Sequence, residues 1–516
     1  MTGSAAIAAG RLRSVIPVDR AQRAIADTAA RPVRAVAHEV TRPSRARKLA
    51  RDWGSGNNIV GMDAKQLRDQ ARHLERDLDL ARNALNVLVQ NTCGSGIDVL
   101  AAPRKAGGKV DRVLAQEIDA LWDEWWDRPE VTKMHDYGRA QQLMARSLFR
   151  DGECYYQDII GPVPFYTHGT RVPYSFEMLE ADMLPLDFTE PGRRILQGVE
   201  RNAWGERVGY WFYKIHPGES IGWNTETKFV PADKVNQLAL IDRIHQVRGL
   251  SVFASSMSRF EDVKDYEESE RIAAKVAASM CAYIKKGQPE GYGQGEGGLA
   301  GEAVLENGVP IREMRFTPGA VFDDLLVGED IGTIATNRPN PNAATWRKEQ
   351  LRAAAGGIGT SYSSLSLDYN GTYSAQRQEL VEKWGGYLML GEQFIAQGPR
   401  KQRQRFIEAC LLAGLIKAPR GWTLANVAAS TYVRPVMPWI DPLKEAYAKG
   451  EAEDRGWASP QQNTLLAGNN PNDVLTETAD WNERRAQLEL DDAAAVDPAP
   501  SASTRTGVVH SMLTKD

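Results

Sequence analysis

The stretch that decides the fold is SVFASSMSRFEDVKDYEESERIAAKVAASMCAYIKK, residues 251–286, which contains neither glycine nor proline. It predicts one continuous helix of 36 residues, about 54 Å long and roughly three times the usual length. Its apolar side chains recur at three- and four-residue steps as a thin stripe: Met257, Phe260, Val263, Val276, Met280 and Ile284. A helix with so narrow a stripe packs against one neighbour or a copy of itself, and not inside a core.

The segments that follow this helix predict a small β insert and then more helices. Asn307-Gly308 lies between two strand-like runs, which is the strongest short-range signal for a hairpin. A helix is predicted over 342–355, followed by a loop rich in Gly, Ser, Tyr and Asn over 356–373. A helical run is predicted from 374 to 413, with a bend at Gly398-Pro399.

The part that precedes residue 251 changes its hydrophobic period from helix to strand. Apolar positions predict helices over 63–90, 111–126 and 137–150. From 176 to 240 the period becomes two and aromatic residues are frequent, with the clearest strand over 208–215. The fold class predicted for the chain is therefore α+β, with helices first and a mostly antiparallel sheet after them.

Composition restricts the environment in which this chain works. No apolar run among the 516 residues approaches the ~18 residues of a membrane span. We expect no secretory signal, because the first residues hold no compact apolar segment followed by a cleavage site. The cysteines never form C-x-x-C and predict buried free thiols in a reducing compartment: Cys93, Cys154, Cys281 and Cys410.

Charge is unevenly distributed along the chain. Residues 1–50 contain ten Lys/Arg and three Asp/Glu, a net +7, so the remainder carries −11 of the overall −4. A basic arm on an acidic body is not typical of a protein that grips nucleic acid over its whole surface. Two interpretations of the arm stay open: a disordered Ala/Arg-rich tail, or an arm that contacts nucleic acid or an acidic partner.

Motifs for enzymatic chemistry and cofactors are absent or accidental. Gly293-x-Gly295-x-x-Gly298 fits a dinucleotide fingerprint literally, but it follows a predicted helix and lies in a generally Gly-rich stretch. Gly107-Gly108-Lys109 lacks the spacing and the Ser/Thr of a phosphate-binding loop. The seven histidines never cluster at metal-ligand spacing. We predict no catalytic residue, no metal and no cofactor.

An acidic run on the long helix has two interpretations. Six acidic residues and one lysine occupy positions 261–270, and the commoner meaning of such a run is a solvated helix face. If copies of the helix line a tube, the acidic face would instead repel phosphate and let DNA slide through. The residues predicted for this acidic face of the long helix are Glu261, Asp262, Asp265 and Glu268.

Four short motifs, in this order and spacing, make the chain resemble the lambda-like portal proteins of tailed bacteriophages. They are Leu78-x-x-Ala81-Arg82-Asn83 running on to Asn91-x-x-Gly94-x-Gly96; Arg150-Asp151-Gly152-Glu153-Cys154-Tyr155; Gly359-Thr360-Ser361-Tyr362-x-x-Leu365-Ser366-x-Asp368-Tyr369 with Tyr373-Ser374-x-x-Arg377; and Trp439-Ile440-Asp441-Pro442-x-Lys444-Glu445. The resemblance extends over roughly residues 60–460.

The resemblance implies an elongated subunit with an α/β wing, a two-helix stem, a clip inserted between the stem helices and a loop in a central tunnel. It assigns these parts as follows: 1–50 a basic, disordered arm; 51–250 the wing; 251–285 and 340–355 the stem helices; 286–339 the clip; 356–373 the tunnel loop; 374–465 the long wing helix and a C-terminal helical region; 466–516 a polar, largely disordered tail.

The same resemblance supplies candidate sites. The tunnel-loop residues expected to contact DNA are Ser361, Tyr362, Asn370, Thr372, Tyr373 and Ser374. For Tyr362 and Tyr373, packing of the loop against its own wing is an equally open interpretation. The clip residues expected to face the terminase or an adaptor are Arg312, Glu313, Asp323 and Asp324.

By resemblance, the expected function is a ring of twelve copies at one capsid vertex, through which double-stranded DNA is packaged and ejected. Implied partners are other copies, DNA without sequence specificity, the large terminase, a head–tail adaptor and the capsid or scaffold protein. The expected location is the virion, with assembly in the host cytoplasm. Two other functions remain open: a capsid scaffold or adaptor without a DNA channel, and a phage-encoded metal-dependent nuclease.

Overall fold

Helices alternate with short antiparallel sheets in the computed structural model of this chain. The structure describes residues 54–105, 107–219, 226–278, 282–286, 304–306, 309–311, 329–333, 340, 342–438 and 441–487. The basic arm predicted over 1–50 lies outside these residues. Within them, no helix is both long enough and apolar enough to cross a lipid bilayer.

The described elements agree with the predicted α+β class. The helices are α1 (Gly56–Asp77), α2 (Asp79–Thr92), α3 (Arg112–Trp126), α4 (Tyr137–Asp151), α5 (Met257–Ala278), α6 (Ala343–Ile358), α7 (Tyr362–Ser366), α8 (Tyr373–Gln397), α9 (Pro399–Leu412), α10 (Leu424–Val427), α11 (Pro442–Asp454), α12 (Pro460–Leu466) and α13 (Pro471–Gln487). The strands are β1 (Asp98–Ala101), β2 (Glu153–Ile160), β3 (Tyr174–Leu179), β4 (Ile195–Leu196), β5 (Val199–Arg201), β6 (Arg207–Tyr213), β7 (Thr227–Pro231), β8 (Val235–Ala239), β9 (Ala282–Lys286), β10 (Val304–Glu306), β11 (Val309–Ile311), β12 (Glu329–Thr333) and β13 (Ser430–Val433).

The prediction of one helix over 63–90 was wrong, because two helices meet there. Leu78 has extended backbone angles, φ −125° and ψ 116°, between α1 and α2. The carboxylate of Asp79 accepts a hydrogen bond from the Leu80 amide at 2.8 Å, and such local bonds compete with helical hydrogen bonds. The apolar pattern survives the break, since Leu78 itself stays buried.

The predicted helices over 111–126 and 137–150 are confirmed as α3 and α4. Asp111 and Asp136 cap them, each accepting a hydrogen bond from the amide three residues further on, at 3.2 and 2.6 Å. Val113 is exposed, although its apolar side chain favours the buried face of α3.

An aromatic cluster joins α3, α4, β3 and α9 in the main core. Trp122 meets Phe406 edge to face at 4.9 Å between ring centroids, and Trp125 stacks on Tyr174 at 5.3 Å. Tyr137 meets Trp122 edge to face at 5.4 Å. The indole of Trp125 also donates to the Tyr174 carbonyl at 2.8 Å. Such pairs stabilise a core beyond their buried area.

The β-rich region predicted over 176–240 forms two sheets instead of one. One has the strand order β3-β2-β8 and the other β4-β5-β6-β7, and all neighbouring strands are antiparallel. Because side chains alternate across a strand, Tyr155 on β2 belongs to a smaller core with β6, whereas Tyr156 belongs to the main core. The strand predicted over 208–215 ends at Tyr213.

The prediction of a continuous helix over 251–286 was wrong at both ends. Residues 251–256 form turns, α5 covers Met257–Ala278, and Ala282–Lys286 is strand β9, which pairs with β12. The absence of glycine and proline was a poor guide, because pairing with a distant strand decides the backbone there. The predicted hairpin is confirmed by the antiparallel pairing of β10 with β11 on either side of 307–308.

The segment after the β insert is more helical than predicted. The helix predicted over 342–355 continues to Ile358, and the loop predicted over 356–373 contains the short helix α7. The predicted bend is confirmed, since Gly398 (φ −113°, ψ −90°) separates α8 from α9, which begins at Pro399.

The prediction of a largely disordered tail over 466–516 was wrong for its first part. Residues Pro471–Gln487 form α13, with Asp473 in the first turn and Arg484 and Arg485 in the last turn. This arrangement of charges stabilises a helix through its dipole. Nearly all of α13 is exposed.

The expectation of buried free thiols is confirmed for Cys93, Cys154 and Cys410. Burial raises the pKa of the Cys93 and Cys410 thiols to about 12, which keeps them protonated and unreactive. Cys281 lies outside the described residues.

Candidate functional site

The base of the predicted stem is fixed by two glycines that touch. Gly152 ends α4 with φ +88°, and a Cβ there would lie 2.3 Å from the Leu250 carbonyl carbon. A Cβ on Gly249 would lie 2.0 Å from the Gly152 carbonyl oxygen. Only glycine fits such an approach, so the chain is held against β2 just before it enters α5.

A buried ion-pair hub surrounds this junction. Glu153 is paired with Arg248 at 2.6 Å and with Arg68 at 3.3 Å, and all three side chains are almost fully buried. Glu153 also accepts hydrogen bonds from the Gly249 amide at 3.1 Å and from Gln237 at 2.8 Å. Burial by itself raises the pKa of Glu153, but the two arginines hold it below its ordinary value. The hub therefore remains ionised and keeps α1, β2 and the start of the stem together.

A second ionic group continues from the hub toward α1 and α4. Asp151 accepts hydrogen bonds from Arg72 at 3.0 Å and from Arg150 at 2.8 Å, and Arg150 also reaches Glu75 at 3.0 Å. Burial lowers the pKa of Arg72 and Arg150, but these carboxylates outweigh it and raise both pKa values. The Arg-Asp-Gly-Glu motif thus has a structural role that the sequence did not reveal, because its arginine partners are distant in the chain.

The two helices predicted to form the stem, α5 and α6, pack against each other through a polar and aromatic seam. Tyr266 and Trp346 lie 4.3 Å apart between ring centroids, and Arg347 donates to Glu267. Directly before α5 begins, Ser256 Oγ donates a hydrogen bond to the Ala354 carbonyl of α6 at 3.3 Å. The prediction that this helix packs outside a core was wrong for its first turns, because Met257, Phe260 and Val263 are buried in the main hydrophobic core.

The acidic side chains predicted for the stem are on the surface of α5. Phe260 and Val263 of the same helix are buried in the main hydrophobic core. The four acidic residues are exposed: Glu261, Asp262, Asp265 and Glu268. Glu268 pairs with Arg271 of the same helix at 3.4 Å, and both side chains are exposed. Both interpretations of this acidic run, a solvated helix face and a tunnel lining, require these side chains to be exposed.

The loop segment, residues 359–372, is anchored to α2 and capped at both ends. Asn83 donates to the carbonyls of Ser364 and Leu365 at 2.8 and 3.0 Å. Ser361 is buried and caps α7, and Thr372 caps α8 by accepting from the Ala375 amide at 3.4 Å. Their hydroxyls are thus engaged in the protein's own backbone, whereas the sequence had suggested contact with DNA.

Tyr362 packs inside the loop segment. Its hydroxyl donates to Asp368 Oδ2 at 2.9 Å, and Lys348 and Arg352 lie over its ring at 5.6 and 5.5 Å from the centroid. Burial raises the pKa of the Tyr362 hydroxyl, and the bond to Asp368 adds to the increase. Of the two interpretations of Tyr362, these contacts favour packing.

The remaining predicted loop residues are exposed. Asn370, Tyr373 and Ser374 present their side chains to solvent, and Tyr373 is 57% exposed. Beside them lie exposed residues that were not predicted as site residues: Tyr369, Arg352 and Arg377. The signal for the cations was available, since Lys348 and Arg352 are four residues apart on one helix. The clip residues Arg312, Glu313, Asp323 and Asp324 lie outside the described residues.

One group of possible metal ligands occurs among the described residues. Atoms of Glu180, Asp182 and His216 lie within 4.8 Å of one another. Asp182 already pairs with Arg72 at 2.6 Å and with Arg68 at 2.8 Å. Burial raises the pKa of Asp182, but both guanidinium groups overcome this and hold it below its ordinary value. The arginines therefore supply the counter-charge, and we assign this group to the ion-pair network.

Comparison with known proteins places these features in a family. The sequence model of a family described as "Phage portal protein, lambda family" matches residues 42–390. The chain is 23% identical to the "Probable portal protein" of Halomonas phage phiHAP-1, over 90% of each chain. It is 22% identical to "Portal protein B" of Escherichia phage lambda, over 84% of this chain and 88% of the relative.

Comparison with solved structures gives matches with low TM-scores. A chain from the "Virion of native gene transfer agent (GTA) particle" has a TM-score of 0.42 and 12% identity, covering 81% of this chain and 100% of that chain. A "HK97 Family Phage Portal Protein from Corynebacterium diphtheriae" has a TM-score of 0.29 and 11% identity, covering 61% and 84%.

Proposed function

The chain belongs to the lambda family of phage portal proteins, and we propose that twelve copies form a ring at one capsid vertex through which double-stranded DNA enters and leaves. The observation that carries this proposal is the family match over 42–390, which contains both stem helices and the loop segment. The protein acts in the virion, and during assembly in the host cytoplasm.

In this proposal the predicted parts keep their assignments, with the corrected helix ends. The stem is α5 with α6, and the segment 286–339 between them is the clip. The wing is 51–250 together with α8 and the C-terminal helices up to 465. The buried hub at Glu153 supports the proposal, because a conduit under internal pressure needs a stem that is rigidly joined to its wing.

The acidic face of α5 lines the tunnel and repels DNA phosphates. An acidic wall releases few counterions from DNA, so the duplex does not adhere. The exposure of Glu261 and Asp265 supports this role.

The loop segment and its flanking helices contact the DNA backbone. Tyr369, Asn370, Tyr373 and Ser374 are exposed polar or aromatic side chains, and Arg352 and Arg377 add positive charge nearby. Contacts of this kind to phosphate and sugar carry no sequence information. A conduit that must pass any genome sequence requires such contacts.

The partners in this proposal are the large terminase, a head–tail adaptor and the capsid or scaffold protein. Clip residues Arg312, Glu313, Asp323 and Asp324 face the terminase or the adaptor. The family is structural, so ATP hydrolysis belongs to the terminase. The ring has no membrane partner.

Electron microscopy with mass photometry tests the ring. Twelve copies of a 57.1 kDa chain total about 685 kDa. We expect a closed ring of that mass. Its bore should be wider than a B-form DNA duplex, which is ~20 Å across. A closed assembly with no bore would favour the scaffold or adaptor function. A monomer that cuts DNA with Mg²⁺ would favour the nuclease.

A charge-neutralised variant tests the acidic face of the assembled ring. Replacing Glu261→Gln, Asp262→Asn, Asp265→Asn and Glu268→Gln should increase retention of duplex DNA and make that retention more salt-dependent. The matched control neutralises four exposed acids elsewhere: Glu117→Gln, Asp127→Asn, Asp187→Asn and Asp242→Asn. Equal DNA retention by the two variants would show that the acidic face does not line the tunnel.

A further inference from the structure

A cavity lies at the edge of the four-stranded sheet, away from the stem and the loop segment. Its volume is about 420 Å³, and its walls come from β4, the end of β5 and the β5–β6 hairpin. Pro191, Ile195 and Leu196 give it an apolar floor, and Arg194 and Arg201 give it two positive charges. Such a mixture of apolar surface and few polar groups is typical of a binding site.

Neither arginine is ion-paired with a residue that the structure describes. No acidic side chain lines the cavity, and within the described part of the chain neither arginine forms an ion pair. Arg201 Nε is buried and has no hydrogen-bond partner. An anionic group that enters the cavity would instead supply a counter-charge to both guanidinium groups.

The backbone at Arg194 is held in a strained conformation. Arg194 has φ +56° and ψ 30°, in the left-handed region that non-glycine residues seldom occupy. Its amide donates to the Pro191 carbonyl at 3.1 Å, and its carbonyl accepts from the Arg201 amide at 3.3 Å. These bonds bring the two arginines to one cavity. Strain of this kind concentrates at binding sites.

An exposed tryptophan stands beside the cavity on a rigid hairpin tip. Trp204 is 93% exposed. The side-chain oxygen of Asn202 accepts hydrogen bonds from the backbone amides of Trp204 and Glu206, at 2.9 and 3.0 Å. Gly205 adopts φ +85°. Trp and Arg are the residue types that contribute most to protein–protein binding energy.

We propose that this cavity binds an acidic, aliphatic peptide segment of a partner protein. A carboxylate of the segment pairs with Arg194 and Arg201, its aliphatic neighbour covers Ile195 and Leu196, and Trp204 closes over the segment. Guanidinium groups bind carboxylates through paired, charge-assisted hydrogen bonds. The concave apolar floor suits a side chain better than a duplex, whose phosphates meet open surfaces.

Fluorescence anisotropy with the full chain tests this proposal. The probe is a labelled synthetic peptide, acetyl-Ala-Leu-Glu-Leu-Glu-Ala amide, and its partner is the same peptide with glutamine in place of glutamate. We expect the acidic peptide to bind and the glutamine peptide to bind at least tenfold more weakly. Failure of the acidic peptide to bind, or equal binding of the two, would overturn the proposal.

Charge-reversed variants locate the binding. Arg194→Glu with Arg201→Glu should weaken binding of the acidic peptide more than tenfold, and Trp204→Ala should weaken it several-fold. The control, Arg112→Glu with Arg420→Glu, makes the same charge change on exposed residues outside the cavity and should bind as the parent does. If the cavity pair misfolds, Arg194→Gln with Arg201→Gln replaces it.

A DNA competitor distinguishes carboxylate from phosphate. We expect a short duplex at physiological salt to leave the bound peptide in place. Displacement of the peptide by the duplex from the parent, and not from the arginine variants, would assign the cavity to nucleic acid and overturn the proposal. Equal binding by the cavity variants and the control would also overturn it.

Discussion

The hub at Glu153 and the seam between the stem helices use the same chemistry in opposite surroundings. Glu153 pairs with Arg68 and Arg248 where all three side chains are almost fully buried. Glu267 pairs with Arg347 on the stem, where each side chain is 42% exposed. A buried charge depends on its partner, whereas an exposed one is solvated without it.

This difference indicates which charges hold the subunit together and which remain available to others. The hub fixes the start of the stem against the body. The stem charges contribute little to the subunit, so they can be selected for contacts outside it. Four changes, from the largest expected effect to the smallest, test this distinction.

Glu153→Gln should destabilise the protein most. It leaves Arg68 and Arg248 buried without a counter-charge, which costs about 3–5 kcal/mol of unfolding free energy. Thermal melting and chemical denaturation measure the loss. The control Glu226→Gln breaks an exposed pair with Lys214 and should leave the melting temperature unchanged. A loss for Glu153→Gln no larger than for the control would show that the hub is not required.

A second buried carboxylate of the body should give an opposite pH dependence. Burial raises the pKa of Asp158 to about 6, although Tyr174 and Arg405 lower it in part. Between pH 4 and pH 6 the unfolded chain has lost this proton and the folded chain retains it. Unfolding free energy therefore falls with rising pH by about 3 kcal/mol. Glu153, whose pKa is lowered, loses its contribution as pH falls.

Melting temperatures of the parent and Asp158→Asn over this pH range check the sign. The advantage of Asp158→Asn over the parent should grow from pH 4 to pH 6 and then stay constant. The control Asp233→Asn changes an exposed neighbour and should follow the parent. A growing advantage as pH falls would contradict the assignment.

Substituting two adjacent glycines of α6 one at a time tests the effect of side-chain packing and the effect of helix propensity separately. A Cβ on Gly357 would lie 2.2 Å from Ser256 Oγ, whereas a Cβ on Gly356 would meet no atom within 4 Å. Gly357→Ala should cost about 1–3 kcal/mol by overpacking the crossing. Gly356→Ala should gain about 0.5–1 kcal/mol, since alanine favours helix. Equal melting temperatures for the two variants would mean that the stem helices do not pack as described.

The stem pair itself should have the smallest effect. Arg347→Gln removes the partner of Glu267, and an exposed pair of this kind contributes under about 1 kcal/mol. Its unfolding free energy should therefore stay within about 1 kcal/mol of the parent, against the several lost in Glu153→Gln. A comparable loss in both variants would erase the distinction between hub and stem.

Local patterns predicted the elements whose stability is local. The ranges of α3 and α4 and the bend at Gly398 were predicted correctly, because a helix start or a break depends on neighbouring residues. The end of α5 was not readable, since Ala282–Lys286 becomes a strand only by pairing with Glu329–Thr333. That pairing joins residues more than forty positions apart.

For the predicted site residues, the sequence was a better guide to exposure than to hydrogen-bond partners. The acidic positions from Glu261 to Glu268 are exposed as a solvated face requires. The capping roles of Ser361 and Thr372 were not predicted, because capping geometry depends on where α7 and α8 begin. The role of Glu153 was hidden, because its partners Arg68 and Arg248 are 85 and 95 residues away.

The pairing of β9 with β12 has an evolutionary consequence. Lys286 and Glu329 are opposite each other in that ladder, so the 42 residues 287–328 leave and return at points about 5 Å apart. A segment with adjoining ends can be exchanged for another, longer or shorter, without moving the helices that carry it. Such an exchange would change what the segment binds and leave the rest of the subunit intact.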